Sequence, residues 1–516
     1  MSNKTFVGLL ALLILPAFSF AQSEGVCGTG LSEESAMAMS RRALANRQIM
    51  DSGIATERDD EVVYIPIKYH LFGKSNGTLA PKASSILGLH CRLNEEYSAH
   101  DIQFYINDGF EYYFNDIYYD NPGEYPTYLN SNRSNNSVNV WIGKEAETGG
   151  GQEGGIVLGY YSPGADWIVL RKDQANYFSE TFAHEIGHFL SLNHPFFGWE
   201  CTTWEFWQED NPSAECAPTT SPCWPFQPTE RVDGSNSAVA GDFLDDTPAN
   251  YSLGFGASGC FYNGDACDVT GAQLVPDPTN IMGYFSGCDD MDFTPDQVEM
   301  ALTDYNSNAR NYLRTDGGPT TIAEITATTE LVSPANAEVL STQNVLLDWA
   351  DTPNAEKYIV QTAINAGFTL LAEERLVDAG TSFTVDYLNP GGTYYWRVAP
   401  FNEYQACVNW SETRIFTAGF LSGVETVAGV TEFLVNPNPV SAGAELTFSV
   451  ETEKSFSADF ELISLDGKSV YSRNNIDFTQ GNSSISVNTK NLSAGLYFAT
   501  IRSANGLVNK RVVITK

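Results

Sequence analysis

Apolar residues in the N-terminal part of the chain follow two different rhythms. Val62 to Phe72 (VVYIPIKYHLF) alternates well enough for a strand. Ile102 to Ile106, Val138 to Ile142 (VNVWI), Gly155 to Tyr161 (GIVLGYY) and Trp167 to Leu170 (WIVL) read as further strands. Ala83 to His100 instead sets Ile86, Leu87, Leu89, Leu93 and Tyr97 at roughly helical spacing. A second helix is expected from about Tyr177 to Leu192, and an amphipathic third over Thr294 to Arg314. Strands mixed with helices in this way make an α+β unit. Residues 195–240 have no clear period; rich in Pro, Trp, Cys and Asp, they read as a loop region stapled by disulfides. Gly317-Gly318-Pro319 and the Thr-rich stretch after it form a linker. Beyond it the period is two. Residues 331–418 show short alternating strands around Trp349, Tyr358, Leu388, Tyr394 and Trp396, and residues 430–516 repeat the pattern with Asn-Pro and Asp-Gly turns. The expected architecture is multidomain: an α+β domain over 61–318, then two all-β sandwich domains over 331–418 and 430–516.

A length of 516 residues is too great for one core, in keeping with that division. Residues 1–21 have the form of a signal peptide: Lys4, an apolar run from Phe6 to Phe18, and small residues at Ser19 and Ala21 around Phe20. That run is too short to span a bilayer comfortably, Cys27 is not set in a lipobox, and no other segment reads as transmembrane. Residues 22–60, weakly patterned, read as a prosegment with Arg41, Arg42, Arg47 and Arg58 as trimming sites. The net charge of −36 argues against nucleic acid and anionic membranes as partners. It leaves carboxylates for calcium, or equally for a solvated surface adapted to salt. Nine cysteines stand at 27, 91, 201, 216, 223, 260, 267, 288 and 407. In an exported protein most should pair, and an odd number leaves at least one with another fate.

Chemistry concentrates in His184-Glu185-Ile186-Gly187-His188, with His194 six residues on; these are three of only six histidines. On a helix, His184 and His188 share one face a turn apart and can grip one metal ion, with Glu185 beside them to polarise a bound water. With His194 as third ligand, one tetrahedral position stays open, as a catalytic zinc site requires. In an unbroken helix, at ~100° per residue, His194 would point away from the other two. The helix must therefore end near Leu192 and turn back. Such a turn normally uses glycine; here Ser191 stands in it, and either Ser191 or Asn193 has to take the left-handed conformation.

HEIGHFLSLNHPF resembles the zinc motif of the metzincins, HExxHxxGxxH, in its pappalysin-type form HExGHxLGLxHxF, departing from it at Ser191. Asn280-Ile281-Met282-Gly283-Tyr284 resembles that branch's Met-turn, NxMxY. Cys288 and Phe293-Thr294-Pro295-Asp296-Gln297 match its following Cys and FTxxQ helix start, and Asp242 to Pro248 its GDxxxDTP segment. The likeness spans about residues 60–315. It implies a metzincin catalytic domain and a secreted, zinc-dependent endopeptidase made as a latent zymogen. His184, His188 and His194 would ligate zinc and Glu185 would be the general base. Met282 would floor the site, Tyr284 would bind the oxyanion, and Gly155 to Tyr161 would align a protein or peptide substrate by strand pairing. Cys288 would pair with Cys267 or Cys260, with Cys407, in another domain, left free. Asp242, Asp245, Asp246 and Thr247 would be calcium candidates, against the alternative of a solvated acidic loop.

Cys27, in Val26-Cys27-Gly28-Thr29 of the prosegment, carries a thiol able to fill the open metal position and hold the zymogen latent, as cysteine switches do. Setting it aside leaves an even eight cysteines; the alternative is that it pairs or is inert. Residues 331–418 resemble a fibronectin type III domain, through Leu347-Asp348-Trp349 and Thr393 to Val398. Residues 434–516 resemble the C-terminal sorting domain of type IX secretion, through Asn436-Pro437-Asn438-Pro439, Leu465-Asp466-Gly467-Lys468, Leu492 to Tyr497 and the terminal Lys510 to Lys516. That module implies the type IX machinery as a partner and a secreted or surface-attached product. Two rivals stay open. One is a gluzincin-type metallopeptidase with Glu205 or Glu209 as third ligand; the other is a surface adhesin whose zinc site is degenerate. Asp289 and Asp290, after the Met-turn, would favour basic side chains in the substrate.

Overall fold

Five of the expected strands, and one that the sequence did not announce, make a single mixed sheet. The computed structural model describes residues 25–29, 32–53, 62–146, 156–255, 257, 259–315, 323–340, 344–386, 388–419, 427, 429–464, 468–503 and 506–516. The signal segment, Arg58, Gly155, the linker glycines and the Leu465-Asp466-Gly467 turn lie outside them. The strands are β1 (Gly25–Cys27), β2 (Val63–Gly73), β3 (Ile102–Phe114), β4 (Val138–Gly143), β5 (Ile156–Ser162) and β6 (Trp167–Arg171), in sheet order β1-β5-β6-β4-β2-β3. All neighbours are parallel except β5 and β6. Burial on both faces explains the near-continuous apolar runs. In β4 and β6, Val138, Val140, Ile142, Ile168 and Leu170 face one core, while Trp141, Trp167 and Val169 face the other.

Helices cover those faces. The stretch expected to be a prosegment, weakly patterned in sequence, forms α1 (Glu33–Asp51), whose Ala36, Met39 and Ala43 are buried in the main core. Alanines and the polar Ser40 and Asn46 make up much of its buried face, which leaves little hydrophobic periodicity to read. Helix α2 (Ala83–Tyr97) packs Ile86, Leu87, Leu89 and Leu93 on the same core as predicted. Short helices α3 (Asp116–Asp120) and α4 (Pro126–Asn132) lie on the opposite face, through Tyr119 and Leu129. Helix α5 (Thr181–Phe189) carries the zinc motif and is shorter than the expected 177–192, because the backbone leaves helical geometry at Leu190. The loop region holds one short helix, α6 (Trp204–Asp210). Helix α7 (Pro295–Asn306) opens with a Thr294/Gln297 capping box. It ends eight residues before the expected Arg314, where Ser307 turns extended and a 3-10 stretch, Asn308–Arg314, folds back.

Two β-sandwiches follow, as the period of two requires. Residues 331–417 form a five-stranded and a three-stranded sheet around Trp349, Tyr358, Tyr394 and Trp396. Residues 430–515 form a three-stranded and a five-stranded sheet around Phe433, Phe448 and Phe460. The first sandwich is clamped to the α+β unit. Tyr404 stacks on Tyr105 at 5.0 Å, and Phe110 on Phe401 at 6.4 Å. Glu374 accepts from Ser84 Oγ at 2.6 Å.

Cysteine pairing departs from expectation at Cys407 and decides between the two partners open to Cys288. Cys407 is not free: it bonds Cys91 of α2 across that interface. Cys267 does not pair with Cys288; it bonds Cys216, while Cys288 takes the other expected partner, Cys260. Folding brings each pair to a Cα separation of 4.7–4.9 Å, within the range a disulfide needs. Cys201–Cys223 completes the set. The Cys91–Cys407 link closes a span of 316 residues. Replacing both cysteines by serine is expected to cost about 2–5 kcal/mol of interface stability. Thermal melts of the full chain should show an earlier transition for the variant; an unchanged melt would mean that the noncovalent contacts suffice.

Candidate metal centre

Helix α5 presents His184 and His188 one turn apart, and the chain then reverses through Ser191 at φ 72. Ser191, not Asn193, takes the left-handed position, and His194 swings back to its partners. The three Nε2 atoms lie 3.1–3.2 Å from one another. Hydrogen bonding does not account for this convergence at His184 and His188. His184 Nδ1 donates to Ile281 O at 2.8 Å and His188 Nδ1 to Leu192 O at 2.7 Å, so in neutral rings both Nε2 atoms carry lone pairs. Lone pairs facing one another call for a cation between them. Burial lowers the pKa of all three rings, that of His184 to about 4, so all three are neutral and able to offer lone pairs. Tetrahedral zinc with bonds of about 2.0–2.1 Å needs nitrogens about 3.3–3.4 Å apart, close to the spacing observed.

Cys27 Sγ completes the group, with all four ligand atoms within 4.8 Å of one another. Its strand, β1, pairs with β5, with Cys27 opposite Gly159 and Gly28 N donating to Gly159 O at 2.8 Å. The prosegment thus occupies the sheet edge expected to align a substrate. Burial, then the Glu185 charge, pushes the Cys27 thiol up, so only a cation at this site would hold it as thiolate.

Glu185 is fully buried and pushed up to about 7, chiefly by burial. Its Oε2 accepts from Thr29 Oγ1 at 2.9 Å, while Oε1 has no partner. Sequence reasoning missed Thr29, although side chains two residues apart on an extended segment share a face, and Thr29 is two after Cys27. Tyr284 Oη accepts from Cys27 N and donates to Cys27 O, both at 3.2 Å, with its ring 5.2 Å from that of His194. Met282 is fully buried under α5, and a Cβ at Gly187 would lie 2.4 Å from its Sδ, which explains glycine inside the motif. Glu200 is a further unforeseen neighbour. Its Oε2 accepts from Gly198 N and Trp224 Nε1, and Oε1 sits 3.6 Å from His194 Nδ1. Glu205 and Glu209 are exposed on α6 and do not join the group, and Asp289 and Asp290 are exposed as well.

The acidic segment is rearranged relative to expectation. Asp242 is buried, accepting from Thr247 Oγ1 at 2.8 Å and Leu244 N at 3.1 Å, with Oδ2 unpartnered. Asp246 is not beside it in function: its oxygens accept from Thr294 Oγ1 and Asp296 N, capping α7. Asp245 pairs with Arg47 of the prosegment. Glu230, a lone acid without sequence signal, is buried against Gly241 with Oε2 unpartnered, and Gln227 Nε2 donates to Gly241 O. Burial pushes both carboxyls up: Glu230 with the Asp242 and Asp245 charges added, and Asp242, to about 7, with the Asp246 charge added. Unpartnered buried oxygens on Glu230, Asp242, Gln227 and Thr229 are the hard ligands a calcium ion takes.

Among the solved structures similar to this chain are three whose likeness is slight. A biofilm-associated protein BSP domain is 15% identical, with a TM-score of 0.15, over 36% of this chain and 30% of its own length. The chicken CNTN1 FN1–FN3 domains are 12% identical at a TM-score of 0.18, over 37% and 69%. FN3tt is 15% identical at 0.14, over 18% and 94%. Likeness at this level carries no weight for fold or function. No curated protein matches the chain. No helix among the described residues is long and apolar enough to cross a membrane. Residues 434–515 match the secretion system C-terminal sorting domain, so the chain carries the module that sends a protein through type IX secretion to the exterior or the cell surface.

Proposed function

We propose that the chain is the latent precursor of a secreted zinc-dependent endopeptidase of the pappalysin type. The convergence of three imidazole Nε2 atoms and the Cys27 thiol beside Glu185 carries this reading. Zinc, when bound, supplies a Lewis acid that acidifies water and polarises a carbonyl. His184, His188 and His194 would hold it. Glu185, near neutral pKa and with one oxygen unpartnered, takes the proton of the attacking water and passes it to the leaving amine. Tyr284, released from the Cys27 backbone, donates a hydrogen bond to the oxyanion. Strand β5, vacated by β1, pairs with an extended substrate. A cleft of ≈ 790 Å³ already runs beside it between prosegment residues such as Ser32 and Arg41 and the wall of Asn121, Glu124 and Tyr160. Metal analysis of the purified full chain tests the reading directly: about one zinc per chain is expected, lost on His194→Ala. A gluzincin would keep its metal in that variant.

Calcium, held by Glu230 and Asp242 with Gln227 and Thr229, would be structural. At a hundred times its Kd it is expected to add about 2.7 kcal/mol of stability. Differential scanning calorimetry should show Tm rising with calcium but not magnesium, and Asp242→Asn should remove the rise. A Tm indifferent to calcium would leave the segment as a buried acid pair.

A further inference from the structure

The turn that delivers His194 rests on a residue poorly suited to it. Ser191 holds φ 72, and a side chain there costs about 1–2 kcal/mol that glycine avoids. Yet Ser191 makes a contact glycine cannot make. Its Oγ donates to Asp304 Oδ1 at 2.6 Å, with Ser191 0% and Asp304 1% exposed. Asp304, on α7, accepts from Arg310 Nε at 2.9 Å through its other oxygen. Arg310 then reaches back: a terminal nitrogen donates to Phe189 O, and its guanidinium lies 3.6 Å from the Phe189 ring centroid. Phe189 is the last residue of α5, so its carbonyl lacks an intrahelical partner, and a cation there also suits the helix dipole. One buried ion pair therefore grips the turn on both sides, at Phe189 and at Ser191.

We infer that Ser191, Asp304 and Arg310 form a clamp that positions His194 for the metal, replacing the glycine of the turn. Asp304 and Arg310 are positioning residues, acting on His194 through Ser191 and Phe189. This rests on the zinc reading above. It is separate from latency: prosegment Arg42 also bonds Asp304, at 2.7 and 2.9 Å, but leaves with the prosegment, whereas Ser191 and Arg310 belong to the catalytic unit.

The test compares Ser191→Ala, Ser191→Gly, Asp304→Ala and Ser191→Gly/Asp304→Ala in the full chain. Zinc affinity is read by chelator competition, and ligand geometry by the visible absorption of the cobalt-substituted protein, with circular dichroism to check folding. Ser191→Ala keeps the strained turn without its hydroxyl and is expected to weaken zinc binding about 10–100-fold and to alter the cobalt spectrum. Ser191→Gly relieves the turn and should stay within a few-fold of wild type. Asp304→Ala should behave like Ser191→Ala or worse, and the double variant should recover most of the loss. Wild-type affinity and spectrum in Ser191→Ala would overturn the clamp, as would no recovery in a folded double variant. If Asp304→Ala does not fold, the Ser191→Ala and Ser191→Gly pair decides alone. A wild-type chain that takes up neither zinc nor cobalt would overturn the metal reading itself, and the clamp with it.

Discussion

Trimmed of its prosegment after folding, the protein is expected to cleave casein, and Glu185→Ala to reduce the rate by about 10²–10⁴-fold, or roughly 3–5 kcal/mol of barrier. Zinc content should be unchanged in that variant, because Glu185 contacts Thr29 and is not among the four converging ligand atoms. This combination separates the readings. A peptidase loses activity and keeps metal; an adhesin has no cleavage to lose. A strong chelator should match the variant, and zinc should reverse the chelator but not the mutation. Cleavage that survives both treatments would remove Glu185 and the metal from the chemistry.

Latency should have two separable parts. The full chain is expected to be inactive, because β1 covers β5, Cys27 would fill the fourth ligand position and Thr29 occupies Glu185. Cys27→Ala should release only part of the activity, since the strand pairing and α1 remain. Arg42 anchors α1: its guanidinium bonds both oxygens of Asp304, Tyr161 Oη at 2.6 Å and Phe189 O at 3.1 Å. Losing hydrogen bonds to a buried charge of this kind costs about 1.5–3 kcal/mol, so Arg42→Ala should loosen the prosegment roughly 10–100-fold. Cys27→Ala/Arg42→Ala should then approach the rate of the trimmed enzyme against a short peptide. A double variant as silent as wild type would place latency elsewhere. Half-buried and held by these bonds, Arg42 is a poor trimming site before α1 detaches, whereas neighbouring Arg41 is exposed.

Much of this was legible in the chain because it is local. Alternation in β2 and short apolar runs in β4, β5 and β6 marked those strands to within a residue or two, and a helical period marked α2 from Ala83. His184 and His188 needed only one helical turn to become neighbours, and the need for a reversal before His194 followed from the same geometry. Counting showed that one cysteine must be left over, and the place of Cys27 ahead of the α+β unit, rather than the count, pointed to it instead of Cys407. Boundaries suffered where a local pattern was overruled by a distant partner. Helix α7 stops at Asn306, and the chain then folds back so that Arg310 reaches Phe189 O and Asp166, more than a hundred positions earlier.

What only the tertiary structure decided are the pairings between residues far apart in sequence. Cys91 finds Cys407 across 316 residues, and Cys267 prefers Cys216 to Cys288, because sandwich docking and loop packing set the Cα distances. Glu230 meets Asp242, and Asp246 is drawn off to α7. Ser191, in sequence a defect of the zinc motif, gains its justification only from Asp304, 113 positions later. Spacing and period report what neighbours along the chain share; they carry no record of which buried hydroxyl, carboxylate or thiol the folded core will bring opposite, and that choice is made by packing.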